Sequence, residues 1–142
     1  MDRNRREGVN SLFHDPAFSP WGSIQTCQML CPGVFEVSTA GHGGIMATRG
    51  AVSKIFSEAA QNCGFWERGY LCFEEDCDAQ VALRELMDRG LFAAPVNQHF
   101  GPGEYSACID EIIQLYHPDY WKAHEDGLTQ TPKQIKTKEY ER

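Results

Sequence analysis

Apolar and polar positions divide the chain into an early part with short, strand-like runs and a later part with helical spacing. Residues 23–30, Ser-Ile-Gln-Thr-Cys-Gln-Met-Leu, have strand character with imperfect alternation, and Val34-Phe35-Glu36-Val37-Ser38-Thr39 reads as a second strand. Between them Cys31-Pro32-Gly33-Val34 places Pro before Gly, the chemistry of a type II turn. The spacing predicts an antiparallel hairpin. Ile45-Met46-Ala47 predicts a third short strand that returns the chain once more.

Helical spacing begins near residue 50. Val52, Ile55, Phe56 and Ala59 predict a helix over 50–61, with Thr48 as its N-terminal cap and Asn62-Cys63-Gly64 as its end. Residues 65–69 read as a loop with aromatic anchors, and Tyr70-Leu71-Cys72-Phe73 as a short strand. The clearest helix starts at Glu74 or Glu75 and runs to about Arg89, with Cys77, Val81, Leu83, Leu86 and Met87 as its apolar face and Gly90 as its cap. Acidic residues in its first turn oppose the positive end of the helix dipole. A Pro- and Gly-rich loop over 91–103 leads to a helix at about 104–116, with Tyr105, Cys108, Ile109, Ile112, Ile113 and Tyr116 inward. Pro118 starts a fourth, short helix holding Trp121. Residues 12–22 form an irregular entry segment anchored by Phe13, Phe18 and Trp21. The expected fold is α+β: a small antiparallel sheet in the N-terminal half packed with three to four helices. The expected organisation is a flexible N-terminus over 1–11, one domain over 12–127 and a polar tail over 128–142.

Composition sharpens this picture. The chain has 142 residues, 42% hydrophobic and 23% charged, enough to bury a core without staples. No apolar run approaches the roughly 20 residues that span a bilayer. The basic start Met1-Asp2-Arg3-Asn4-Arg5-Arg6 lacks the apolar stretch of a secretory signal, which points to the cytoplasm. Net charge is −7. Three Arg against Asp2 and Glu7 leave +1 in residues 1–10, and four basic residues against Glu139 and Glu141 leave +2 in 133–142. An excess of ten negative charges therefore lies in 8–132. This acidity argues against direct, nonspecific binding to duplex DNA through phosphates and suits a protein partner with a basic surface. Six cysteines without a signal read as reduced thiols. Cys27-x3-Cys31 and Cys72-x4-Cys77 have loose zinc-site spacing, and buried free thiols are the competing reading. Oligomeric state is not encoded in any pattern.

Two segments carry candidate chemistry. Ser38-Thr39-Ala40-Gly41-His42-Gly43-Gly44-Ile45 surrounds one histidine with three glycines, and Glu74-Glu75-Asp76-Cys77-Asp78 crowds four carboxylates into five residues. The first matches no phosphate-binding fingerprint, so no nucleotide or other cofactor is assigned. It reads either as a tight turn needing positive φ or as a rigid loop presenting His42 for acid–base work. The second reads either as a solvated helix start or as oxygen ligands for magnesium or calcium, without the loop such sites need, so no metal is assigned. A binding site would comprise Gly41, His42, Gly43, Gly44, Glu74, Glu75, Asp76 and Asp78. An alternative hydrolase or metal-dependent enzyme would use His42, Glu75 and Cys77 as catalytic residues, with Glu74 and Asp76 holding a cation or orienting the imidazole. A helix N-terminus would activate Cys77, whereas its carboxylate neighbours oppose this. His14, His99, His117 and His124 have no metal-ligand spacing and read as surface or capping residues. Trp66, Tyr105, Tyr116, Tyr120 and Trp121 read chiefly as core, with some available as partner anchors.

The two segments together resemble a domain family carried by plasmids and phages of Proteobacteria, whose members pair ST-x-GHGG with W/F-Y-EEDCDW and a helix. Trp21-Gly22 is similar to the P-W-G opening of that family, so the resemblance covers about residues 19–90. Phe73 and Ala79 depart from its usual tyrosine and tryptophan. The resemblance implies a mobile-element setting. Small acidic proteins of such elements often inhibit host defence, in the manner of anti-CRISPR or anti-restriction proteins, by binding a defence protein or complex.

Overall fold

Pro32 and Gly33 close the first hairpin, and Gly33 takes the positive φ of 85° that a type II turn requires. The computed structural model describes residues 12–132. The hairpin joins β1 (Thr26–Cys31) to β2 (Val34–Ser38), and a register shift between Met29 and Cys31 bends β1 before the turn. The third strand, β3 (Gly43–Thr48), is longer than the expected three residues.

The first helix is broken in two. Thr48 caps α1 (Arg49–Ile55) by accepting from the Ala51 N–H at 3.2 Å. Phe56 and Ser57 are then extended, and Ser57 caps α2 (Glu58–Gln61) by accepting from the Ala60 N–H. Ser57 breaks the helical pattern by capping α2 while its N–H and hydroxyl are both held by Glu85, 28 residues later. Residues 65–69 also differ from expectation. They hold β4 (Phe65–Glu67) and a two-residue turn, Arg68 and Gly69, both at positive φ. That turn suits the twist of a tight hairpin into β5 (Tyr70–Glu74). The five strands are ordered β1-β2-β3-β5-β4, every neighbouring pair antiparallel.

Helices cover one face of the sheet: α3 (Ala79–Asp88), α4 (Glu104–Tyr116) and α5 (Pro118–Glu125) join α1 and α2 there. The main core packs Val34, Ile45, Ala47, Leu71 and Phe73 of the sheet against Val52, Phe56, Val81, Leu86 and Ile113. The opposite face carries a smaller core of Phe35, Val37, Met46 and Cys72, covered by Phe18, Trp21 and Ile24 of the entry segment. Both faces of the sheet are thus buried, one by helices and one by irregular chain. Phe13, expected as an anchor, is 61% exposed. Cys108 and Tyr116 of α4 are exposed rather than inward. On α5 the fully packed aromatic is Tyr120, with Trp121 only partly buried.

Gly90, at φ 71°, ends α3 as expected, with the Leu91 N–H reaching back to the Leu86 carbonyl at 2.8 Å. Thr129, within the segment read as a polar tail, is buried, and its carbonyl accepts from Arg89 at 2.8 Å. The expectations for residues 1–11 and 133–142 lie outside the described residues.

Candidate functional site

The two singled-out segments meet through backbone pairing. Gly44 faces Glu74 across the β3–β5 ladder, and the Glu75 N–H donates to the Gly43 carbonyl at 3.0 Å. The glycines are not there for positive φ: none of Gly41, Gly43 and Gly44 adopts it. Gly43 and Gly44 are strand residues whose missing side chains make room. A Cβ on Gly44 would run into the Phe73 carbonyl and the Trp21 ring, and one on Gly43 would lie 2.5 Å from the Val37 carbonyl oxygen. Gly41 has open space around it.

Thr39 shapes the short connection between β2 and β3. Its N–H donates to the His42 carbonyl at 2.8 Å, and its hydroxyl oxygen accepts from the His42 N–H. These bonds fix the His42 backbone while its side chain remains exposed. The imidazole forms no hydrogen bond or ion pair with any described residue, so it has no carboxylate partner of the kind the enzyme reading needs.

The acidic segment is a strand end followed by a turn, not a helix start. Glu74 completes β5, residues 75–78 turn, and α3 begins at Ala79. Two demands explain the delay. Glu74 is still held in the ladder, and Asp78, at the cap position, makes no capping bond to the helix. Its carboxylate is engaged elsewhere: Oδ2 lies 3.4 Å from the Glu74 N–H, and Oδ1 lies 2.7 Å from His117 Nε2 at the α4–α5 junction. Glu75 and Asp76 project into solvent, while Glu74, Cys77 and Asp78 are partly buried. Burial and the charges of Asp78, Glu74 and Asp76 push the Cys77 thiol up to about 11. That leaves it protonated at neutral pH and unsuited to act as an activated nucleophile. The cysteines of the proposed two-part zinc site do not converge: Cys31 belongs to the main core, whereas Cys27 and Cys72 belong to the smaller one. All six thiols are free.

Two concavities border this region. A groove of about 380 Å³ runs between the helix-side face of β1–β2 and helices α3 and α4. Glu36, Glu75 and Gln28 give it a polar, acidic rim, and Ile45, Leu83 and Ile109 an apolar lining. Glu36 is near enough to Tyr105 to help hold that phenol above its ordinary range, after burial itself. A second cavity of about 420 Å³ lies between α2 and the α4–α5 junction, bordered by Cys63, His117 and Tyr120.

Three features escaped sequence reasoning. His117 holds the cap position at the end of α4, one of the two roles read for it, but its imidazole is also a partly buried partner of Asp78. Glu36 contributes to the groove. Glu85 is fully buried: its carboxylate accepts from the Ser57 N–H at 2.8 Å, from the Ser57 hydroxyl and from the Tyr120 hydroxyl at 2.9 Å, with Arg89 at 3.7 Å. A signal for it existed, because Glu85 falls four residues after Val81 and beside Leu86, on the apolar stripe of α3. Burial raises the Glu85 carboxyl above its ordinary range, and the Ser57, Arg89 and Tyr120 contacts partly offset this. Among the described residues, no helix is long and apolar enough to cross a membrane.

Comparison with known proteins returned no curated protein and no solved structure that matches. A family model described as a domain of unknown function, DUF7007, matches residues 14–142. With nearly its whole length inside that match, from the entry segment over the smaller core to the last residue, the chain belongs to the DUF7007 family.

Proposed function

We propose that this chain is a non-enzymatic inhibitor from a mobile element, which binds a basic surface of a nucleic-acid-handling host defence complex and competes there with nucleic acid. The observation that carries this reading is the distribution of charge. Among residues 12–132, sixteen carboxylates face six Lys and Arg residues. Arg68, Arg84, Arg89 and Lys122 are within ion-pair distance of carboxylates. Glu36, Glu75 and Asp76 are exposed and make no ion pair with any described residue, and the first two rim the same apolar-lined groove. An acidic rim around an apolar floor complements a basic protein surface and steers its approach. The unpartnered His42 imidazole and the protonated Cys77 thiol support binding over catalysis.

The test is capture from host-cell extract by the tagged protein at low and at high salt. Binding of a basic nucleic-acid-handling protein should weaken as salt screens the exposed charges. It should also weaken in the double reversal Glu75→Lys, Asp76→Lys. Capture indifferent to both salt and charge reversal would sink the proposal.

A further inference from the structure

At the end of β5, donor atoms of different chemistry come together. A carboxylate oxygen of Glu74, the Cys77 sulfur and a carboxylate oxygen of Asp78 all lie within 4.8 Å of one another. The sulfur is 3.9 Å from Glu74 Oε1. His117 arrives from the α4–α5 junction, 39 residues further along the chain, and sets Nε2 at 2.7 Å from Asp78 Oδ1. All four residues are partly buried. No Lys or Arg of the described residues pairs with any of them, so two carboxylates and a thiol come together with the His117 imidazole as the partner of Asp78.

The turn that carries these donors is fixed by its own backbone. The Asp78 N–H donates to the Glu74 carbonyl at 2.9 Å, which brings the first and last donor residues of the turn together. The imidazole then pins one Asp78 oxygen and leaves the other on the Glu74 side. Such a histidine–carboxylate contact outside the ligand set is how metal sites orient a ligand.

The donor types discriminate between ions. Calcium and magnesium take oxygen ligands, six or more in number, and gain nothing from sulfur. A thiolate beside two carboxylates suits a borderline-soft divalent ion. A tetrahedral zinc ion holds oxygen at about 2.0–2.2 Å and sulfur at about 2.3 Å, which places ligand atoms roughly 3.3–3.8 Å apart. The three donors, now within 4.8 Å of one another, would have to close by about 1 Å to reach that spacing. We propose that Glu74, Cys77 and Asp78 bind a divalent transition-metal ion of the zinc class, with His117 as the positioning residue for Asp78. Binding takes the Cys77 thiolate as ligand and releases its proton to solvent. Three protein ligands leave one position for an exchangeable donor. This site is independent of the proposed binding function, because neither requires the other.

Cobalt(II), as a coloured stand-in for zinc, tests the assignment on the full chain. One equivalent should produce a thiolate-to-cobalt charge-transfer absorption, and an equivalent of zinc should abolish it. The absorption should vanish in Cys77→Ser and persist in Cys27→Ser. In His117→Ala it should persist, with affinity about tenfold weaker or more, which separates positioning from ligation. No such absorption in the wild-type chain, or one that survives Cys77→Ser, overturns the proposal. Should Cys77→Ser fail to fold by circular dichroism, alkylation of Cys77 in the wild-type chain, mapped by mass spectrometry, decides. One equivalent of zinc should slow it about tenfold, and an unchanged rate overturns the site.

Discussion

The indole of Trp21 rests against Gly44, with its Cη2 only 2.6 Å from where a Cβ would stand. The glycine is therefore a receptor for an aromatic ring on the second face of the sheet. Gly44→Ala would force apart Trp21 and the β3–β5 ladder together, since the Phe73 carbonyl blocks the same space. Overpacking with no side-chain escape should cost at least about 2 kcal/mol. Gly41→Ala, with open space and no positive φ, should stay within about 0.5 kcal/mol of wild type. Urea unfolding of both variants checks this, and equal costs would refute it.

Two helix caps should differ in cost. Thr48→Ala removes one bond to the Ala51 N–H and should cost about 1 kcal/mol. Ser57→Ala removes the cap on α2 and also the hydroxyl that donates to buried Glu85. Leaving a buried carboxylate oxygen short of a donor adds about 1–3 kcal/mol. Thermal denaturation should rank Ser57→Ala clearly below Thr48→Ala, and the reverse order would count against the network.

Glu85 predicts a pH dependence of definite sign. Its carboxyl is raised above the ordinary 4.5 by burial, so folding favours its protonated form. Its contribution is fully present below about 4.5 and fades as pH rises through the raised value. Glu85→Gln cannot ionise. Its stability relative to wild type should therefore improve as pH rises from 4.5, then level off above the raised value. Unfolding free energies of both proteins across this range test it, and a difference that is flat or runs the other way would refute it.

Arg84 staples α3 to α4. Its guanidinium donates to Asp110 through Nε and Nη2, to Asp88 through Nη1 and to the Ser106 carbonyl. An ammonium cannot reproduce that fork. Arg84→Lys should lose about 1–2 kcal/mol despite keeping the charge. A double-mutant cycle with Asp110→Asn should show coupling, and strict additivity would exclude the staple.

Alternation, turn chemistry and caps made most of the fold legible. The Pro32-Gly33 turn, the Thr48 cap, the Gly90 stop and the extent of helix α4 follow from local rules, and the structure places them as read. The failures share a cause: a residue's local preference was overruled by a distant partner. Glu74 looks like a helix-start residue, yet the pairing with β3 keeps it in a strand. Ser57 breaks a helical pattern because Glu85, 28 residues later, holds it. Gly43 and Gly44 suggested a tight turn needing positive φ, whereas they are strand residues that admit Trp21 and the neighbouring backbone. The meeting of the two motifs was legible. The partnership of Asp78 with His117 was not, because no spacing rule links residues 39 apart.

Glu85 also orders events during synthesis. The sheet is built from strands that are mostly neighbours in sequence, so its contacts can form soon after each segment emerges. The carboxylate at position 85 meets its Ser57 donors early, but its Tyr120 donor comes 35 residues later. Until α5 is made, this fully buried acid stays incompletely satisfied. A ribosome-bound or truncated chain ending before Tyr120 would thus hold all five strands of the sheet around an unfinished centre, which α5 latches.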